Sequence, residues 1–154
     1  MKRSGIGQLV VISCLSIAAY AVLYVVLRPL LPDQLVRHAG PDGEGFSPLW
    51  VTVLVVGAVA ALSLLIGLLV YRDFTNLGHW YPGPKAIVVC FLAAGYGLLG
   101  LGVSMLITAL GQSAQDHTSL PIGMGLLGFL IIFGLSAGLL ARSLPRAKQE
   151  TLDA

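Results

Sequence analysis

Four long apolar runs divide this chain, and none of them contains an ionisable side chain. Residues 4–27, 48–71, 86–115 and 118–141 contain no Asp, Glu, Lys, Arg or His. Each run offers at least about 20 residues for a helix, which is enough to cross a hydrocarbon core of about 30 Å. Charged residues make up only 10% of the chain and apolar residues 56%, whereas soluble domains carry about 25% charged residues. This pattern predicts an all-α integral membrane protein.

The runs predict a single membrane domain, residues 1–154, built from four transmembrane helices. Proline and charged residues set the predicted ends, because proline cannot continue a helix and charged groups lie at the headgroups. The predicted helices are residues 6–28, 48–71, 85–111 and 120–141. Because the connections are short, we expect an antiparallel four-helix bundle. Residues 29–47 should form an ordered outer loop and residues 142–154 a cytoplasmic tail.

The basic residues are unevenly distributed along the chain. Seven lie at the two termini or in the middle connection: Lys2, Arg3, Arg72, Lys85, Arg142, Arg146 and Lys148. The other two, Arg28 and Arg37, lie in the first connection. Since Lys and Arg are retained on the cytoplasmic side during insertion, both termini are predicted to be cytoplasmic. The first and third connections are then predicted to face outward.

The lack of ionisable groups in the membrane runs argues against several activities. Ion-coupled transporters and proton relays place such groups at membrane depth, although each costs about 2.5–3.5 kcal/mol on insertion scales. Small four-helix drug exporters carry a carboxylate in their first helix, and this first run has none. Nucleophilic or metal catalysis needs a neighbouring base or several ligands, and the serines of the runs have no histidine at their depth. We expect no enzymatic activity, no catalytic residue and no cofactor.

Small residues recur at every fourth position in three of the runs. They are Gly57 and Ala61, then Gly100, Ser104 and Thr108, then Gly134 and Gly138. Such faces let backbones approach closely, which membrane helices need because apolar burial does not distinguish a helix from lipid. We expect these residues to pack helices within one chain, and packing between chains remains open. Cys14 and Cys90 should likewise be buried small apolar residues rather than a disulfide.

The connections that are predicted to face outward contain the acidic, basic and histidine side chains that could bind a ligand. They are Asp33, Arg37, His38, Asp42 and Glu44 in the first connection, and Asp116 and His117 in the third. Two imidazoles and several carboxylates on one side of a membrane could bind Zn²⁺ or Cu²⁺. No HxH or HxxxH spacing places two ligands together, so we expect no metal site and structural or solvated roles instead.

The first connection resembles the loop of a bacterial membrane family called domain of unknown function 1648. In that family the loop follows the first transmembrane helix and reads roughly LPxx(I/V)xxHWxxxGxxDGW. The matching positions here are Leu31, Pro32, Leu35, His38 and Gly43, with Phe46 near the aromatic position. Ala39 replaces the aromatic residue after the histidine, and the family's second Asp-Gly is missing. The same module opens SdpI-type immunity proteins, so the resemblance implies a bacterial plasma-membrane protein.

Pro32, His38, Asp42 and Gly43 are the candidate functional or structural residues of this loop. Proline stiffens such a segment and glycine permits tight turns. His38 could pin the loop by bonding to a backbone carbonyl or a nearby acid. It could instead face a peptide or an ion, or titrate near neutral pH.

Two classes of function remain. The leading hypothesis is a binding protein, acting as an accessory subunit of a membrane complex, a sensor or an immunity-like factor. Its partners would be the lipid bilayer and another membrane protein or a second copy of itself, and not nucleic acid. The alternative is a homo-oligomeric transporter or channel for a neutral or apolar solute. A transporter should have a hydrated route between protomers, whereas an accessory protein should have one face sealed against a different chain.

Overall fold

A computed structural model describes residues 4–40, 43–112 and 120–148, with the backbone alone at residues 4, 36–40 and 43–44. Its helices are α1 (Ser4–Leu27), α2 (Leu49–Asn76), α3 (Pro82–Thr108) and α4 (Leu120–Ser143). All four are long and apolar enough to cross a membrane. The prediction of four candidate membrane-spanning helices is confirmed.

The turn between α2 and α3 is shorter than predicted. α2 continues past residue 71, through Arg72 and Asp73, to Asn76. Charged residues mark where the hydrocarbon ends, and nothing in their backbone chemistry ends a helix. α3 begins at Pro82 rather than at residue 85, because proline is tolerated in a first turn, where its missing N–H would have no partner.

The connection between α1 and α2 contains a β-hairpin that the sequence did not predict. After a 3₁₀ turn, Arg28–Leu30, strand β1 (Gln34–Gly40) pairs antiparallel with β2 (Gly43–Pro48). The strands contain the glycines Gly40, Gly43 and Gly45, and glycine is depleted in strands generally. The architecture is therefore all-α in class, with four helices and one two-stranded sheet between α1 and α2.

α3 is the central helix of the described structure. Of its most apolar stretch, 39% of the residues are buried, compared with 11% to 17% in the other helices. Three of its glycines lie against the other helices: Gly95 against Leu64 of α2, Gly97 against Phe129 of α4, and Gly102 against Tyr20 of α1. The outer surfaces of α1, α2 and α4 expose many large apolar side chains, as lipid-facing surfaces do.

The segment after α4 packs back onto the turn between α2 and α3. The backbone N–H of Lys148 donates to the carbonyl oxygen of Trp80 at 2.8 Å, and Leu144 is buried. Trp80 is buried by this segment. The predicted cytoplasmic tail therefore begins as a packed segment, and residues 149–154 lie outside the described residues.

Candidate functional site

The hairpin begins where α1 ends, at an ion pair between Arg28 and Asp33. Arg28 Nη2 lies 2.5 Å from Asp33 Oδ1, and Arg28 Nη1 donates to the carbonyl oxygen of Leu31 at 3.4 Å. The two side chains are 42% and 87% exposed, so water screens the pair and it contributes little to stability. Its effect is local, because it holds the turn that leads from α1 into β1.

The base of the hairpin is tied to α2. The backbone N–H of Leu49 donates to the carbonyl oxygen of Asp33 at 2.9 Å. The hydroxyl groups of Ser47 and Thr52 are hydrogen bonded at 2.9 Å, and Leu35 of β1 is buried. Since β2 ends at the residue before α2, the strand continues into the helix without a loop.

The end of α3 meets the same base. The backbone N–H of Gly111 donates to the carbonyl oxygen of Leu30 at 3.5 Å. Gly111 has a φ of 73°, a left-handed conformation that glycine adopts without steric cost. The first and third connections therefore begin next to each other. Asp116 and His117 lie outside the described residues.

Three of the four predicted loop residues, Pro32, His38 and Gly43, are described by the structure. Pro32 is half-buried just before β1. A β-bulge precedes His38 and places it opposite Gly45, and Gly43 begins β2. Asp42 lies outside the part of the chain that the structure describes. His38 and Gly43 thus lie beyond the bulge from Leu35 and Ser47 along the hairpin, and we refer to the sequence segment 37–45 as the tip.

A metal site was not expected in this region. Among the side chains that the structure describes, no group of three or more His, Cys, Asp or Glu could hold a metal ion. The side chains of the candidate ligands His38, Asp42, Glu44, Asp116 and His117 all lie outside this described set. The expectation of no metal therefore stays a prediction.

The predicted small residues of α2 and α3 lie near neighbouring helices. A Cβ built at Gly57 would lie 3.3 Å from the ring of Tyr20, and Ala61 is half-buried. A Cβ at Gly100 would lie 2.6 Å from Ile132 and 3.0 Å from the carbonyl oxygen of Gly128. α3 and α4 therefore approach closely at Gly100.

The remaining predicted small residues differ in their surroundings. Ser104 packs against Gly128 of α4, whereas the Thr108 hydroxyl donates to the carbonyl oxygen of Ser104 in its own helix at 2.8 Å. Gly134 and Gly138 are exposed, and no atom of the described residues lies within 4 Å of a Cβ built at either. α4 contacts α3 through glycines nearer its start.

The prediction omitted most of the glycines at which helices approach closely. They are Gly67, Gly95, Gly97, Gly102, Gly125 and Gly128. Gly95, Gly102, Gly125 and Gly128 have no small residue four positions away, so a search for every fourth position does not find them. The signal that could have been used is the density of glycine in α3, which indicates a helix approached from several sides.

Hydroxyl groups within the helices are used in packing. Ser13 Oγ and Tyr96 OH are hydrogen bonded at 3.0 Å and join α1 to α3. Ser63 Oγ donates to the carbonyl oxygen of Phe91 at 2.9 Å and joins α2 to α3. Ser16 and Ser136 donate to carbonyl oxygens of their own helices. Hydrogen bonds between helices and within one helix both give the hydroxyl group a partner where no water is present.

The two cysteines correct an expectation. Cys14 and Cys90 are free and exposed on the surface of the helices, whereas burial was predicted. In a bilayer a small, weakly polar side chain is as well accommodated by lipid as by a neighbouring helix. Their outward position therefore needs no partner.

The four candidate spans and their exposed apolar surfaces place the chain among multi-pass membrane proteins. No family model matches this chain, and neither a curated protein nor a solved structure matches it. What the molecule does is therefore inferred from its hairpin and its helix surfaces.

Proposed function

We propose that this chain is a small, non-enzymatic protein of the bacterial plasma membrane that acts by binding another protein at its outer hairpin. The observation that carries the proposal is the anchoring of the hairpin base through the Asp33–Leu49 backbone bond and the Ser47–Thr52 hydroxyl bond. A two-stranded hairpin is at best marginally stable alone in water, so the anchoring gives it a defined position for recognition. The role is that of an accessory subunit, a sensor or an immunity-like factor.

The proposed topology is an antiparallel bundle with both termini in the cytoplasm. Gly95 of α3 meets Leu64 of α2, and Leu92 of α3 meets Gly67 of α2. Residue numbers therefore rise along one helix as they fall along the other, which supports antiparallel packing. The distribution of basic residues supports cytoplasmic termini, and this orientation puts the hairpin outside the cell.

The resemblance to the loop of domain of unknown function 1648 also supports the proposal. Two of the matching residues, Leu31 and Leu35, are buried at the hairpin base. In the proposed module these leucines anchor the loop, and the more polar tip carries the recognition surface. We therefore propose that this chain contains the loop module of that family, and we do not propose that it has the immunity activity of SdpI-type proteins.

Co-purification tests the binding function. The chain is expressed at its native level, extracted in mild detergent without cross-linking, and every co-migrating polypeptide is identified by mass spectrometry. A trimmed variant replaces the tip, residues 37–45, with Asn-Gly, which favours tight hairpin turns. A second variant, His38→Ala, is matched by His79→Ala, the same substitution at an exposed histidine of the α2–α3 turn.

We expect a stoichiometric partner with the wild type and with His79→Ala, and its loss from the trimmed variant. If His38 contacts the partner, His38→Ala should weaken binding about tenfold, which corresponds to about 1.4 kcal/mol. Size-exclusion profiles and melting temperatures establish that each variant is folded. A lone chain or a homo-oligomer in every preparation would overturn the proposed function.

The second candidate function is a homo-oligomeric path for a neutral or apolar solute. The exposed glycines Gly134 and Gly138 of α4 favour it, because small residues let helices of two chains approach closely. The double variant Gly134→Leu/Gly138→Leu should then convert the oligomer to a monomer. A chain that is monomeric with and without these substitutions would exclude this candidate.

A further inference from the structure

An open cleft runs along α3 between α1 and α4, with a volume of about 510 Å³. Ala19 and Leu23 of α1 form one wall, and Ile132 of α4 forms the other. Leu99 and Val103 of α3 form the floor. We refer to it as the α1–α4 cleft.

The cleft follows from the way α1 and α4 attach to α3. The ring of Tyr20 lies against Gly102, whereas α4 approaches α3 at Gly100. Residues two apart on a helix point to nearly opposite sides, because each residue turns the helix by about 100°. α1 and α4 therefore leave a face of α3 open between them, and the small side chain of Ala19 does not fill it.

The walls of the cleft present a mainly apolar surface to a ligand. The Tyr20 hydroxyl donates to the carbonyl oxygen of Val53 at 3.3 Å, and the Tyr96 hydroxyl is paired with that of Ser13. The runs that form the walls contain no Asp, Glu, Lys, Arg or His. A charged or strongly polar group in the cleft would lose hydration without compensation, so the ligand must be apolar.

The cleft is slightly shorter than one bilayer leaflet. Its residues run from 16 to 23 on α1 and from 96 to 104 on α3, which is about 10–12 Å at the helical rise. Both intervals lie in the half of their helix that ends beside the hairpin. One leaflet contributes about 15 Å of a hydrocarbon core of about 30 Å, so the cleft covers most of one leaflet.

The cleft is too small to take in a whole transmembrane helix. A helix about 10 Å wide that crosses about 30 Å fills roughly 2,400 Å³, several times the volume of the cleft. The volume does fall within the range of about 300–1,000 Å³ that is typical of small-molecule sites. An acyl chain is narrow, apolar and one leaflet long, and the surrounding bilayer supplies it.

We propose that the α1–α4 cleft binds one acyl chain of a phospholipid from the leaflet on the hairpin side. The bound chain fills the face of α3 that α1 and α4 leave open and packs against Ala19 and Ile132. The site is separate from the hairpin tip and goes beyond the binding function proposed above.

Native mass spectrometry tests the proposal with a matched pair of variants. The protein is purified in mild detergent, depleted of lipid and mixed with palmitoyl-oleoyl phosphatidylglycerol. Ala19→Trp fills the cleft, and Ala18→Trp puts the same ring on the adjacent exposed residue, outside the cleft lining. Leu23→Trp and Val22→Trp form a second pair, for use if Ala19→Trp does not fold.

We expect the wild type and Ala18→Trp to retain one phospholipid at activation energies that strip other lipids. Ala19→Trp should reduce the retained fraction at least fivefold, and phosphatidylcholine should be retained as well as phosphatidylglycerol. Equal retention by both members of a pair would overturn the proposal. Retention that depends on the headgroup, or a dimer that Ala19→Trp alone dissociates, would also overturn it.

Discussion

The indole N–H of Trp80 donates a hydrogen bond to the carbonyl oxygen of Pro145 at 3.0 Å and so joins the α2–α3 turn to the segment after α4. Trp80 is only 3% exposed and packs edge-on against Tyr71, with ring centroids 5.2 Å apart. Lys148 adds a bond from its Nζ to the carbonyl oxygen of Gly78 at 3.1 Å. The indole bond is one of several that attach this segment, and Lys85 Nζ adds another to the carbonyl oxygen of Leu144 at 3.3 Å.

Trp80→Phe should loosen the segment after α4 without disrupting the helices. Phenylalanine keeps a buried ring but loses the bond to Pro145, which costs about 1 kcal/mol. Cleavage by trypsin after Arg146 should then accelerate about fivefold, since proteolysis follows the population of the open form. Trp50→Phe is the matched control, because Trp50 is 57% exposed. Equal cleavage rates for the two variants would contradict the anchoring role of Trp80.

Gly95→Ala should destabilise the contact between α2 and α3. A Cβ at this position would lie 2.5 Å from Leu64 Cγ and 3.1 Å from the carbonyl oxygen of Ala60. The leucine side chain can move, but the carbonyl oxygen belongs to the backbone of α2, so the helices must separate slightly. We expect a loss of about 1–3 kcal/mol in the free energy of unfolding, measured in mixed SDS and neutral detergent micelles.

Gly134→Ala is the matched control for Gly95→Ala. No atom of the described chain lies within 4 Å of a Cβ at Gly134. The free energy of unfolding should therefore be unchanged or should rise by up to about 1 kcal/mol, because alanine favours a helix more than glycine does. If the two alanine variants unfold at the same SDS fraction, the close approach of α2 to Gly95 is not what stabilises this pair.

The helices could be predicted from the sequence and the hairpin could not, for physical reasons. A bilayer demands about 20 apolar residues per helix, so the runs alone locate all four. The hairpin depends on tertiary hydrogen bonds, such as the bond between Leu49 and Asp33. These bonds join residues that are distant in the sequence, so no local sequence pattern predicts them. Glycines in β1 and β2 also remove the side-chain alternation from which strands are usually predicted.

The packing glycines were predictable as a class but not individually. Gly128 and Gly134 both lie in α4, yet Gly128 faces α3 and Gly134 faces outward. Lipid and helix interior are equally apolar, so the hydrophobic pattern that distinguishes the two faces of a soluble helix is missing here. Which glycine packs is decided by the rotation of α4 against α3.

Ser47→Ala should loosen the base of the hairpin. The Ser47 hydroxyl is bonded to that of Thr52 in a site where Ser47 is 9% exposed. Losing this bond costs about 1 kcal/mol and should speed hydrogen exchange at the amide of Leu49 about fivefold. Ser136→Ala is the control, because that hydroxyl bonds within its own helix. Faster exchange in both variants, or in neither, would argue against local anchoring by Ser47.

The proposed orientation predicts which connections an impermeant reagent reaches. The labelling experiment uses a cysteine-free double variant, Cys14→Ala/Cys90→Ala. Because both cysteines are free and exposed, their replacement should leave no cavity. In that background, Glu44→Cys marks the hairpin and Asn76→Cys, at an exposed residue, marks the α2–α3 turn.

Seven of the nine basic residues favour a cytoplasmic α2–α3 turn and an outward hairpin. A charged maleimide added to intact cells should therefore label Glu44→Cys and leave Asn76→Cys unlabelled until the cells are lysed. The reverse pattern would invert the topology and move the hairpin into the cytoplasm, where an extracellular partner could not reach it. Labelling of both positions in intact cells would indicate a mixed orientation and would contradict the charge argument itself.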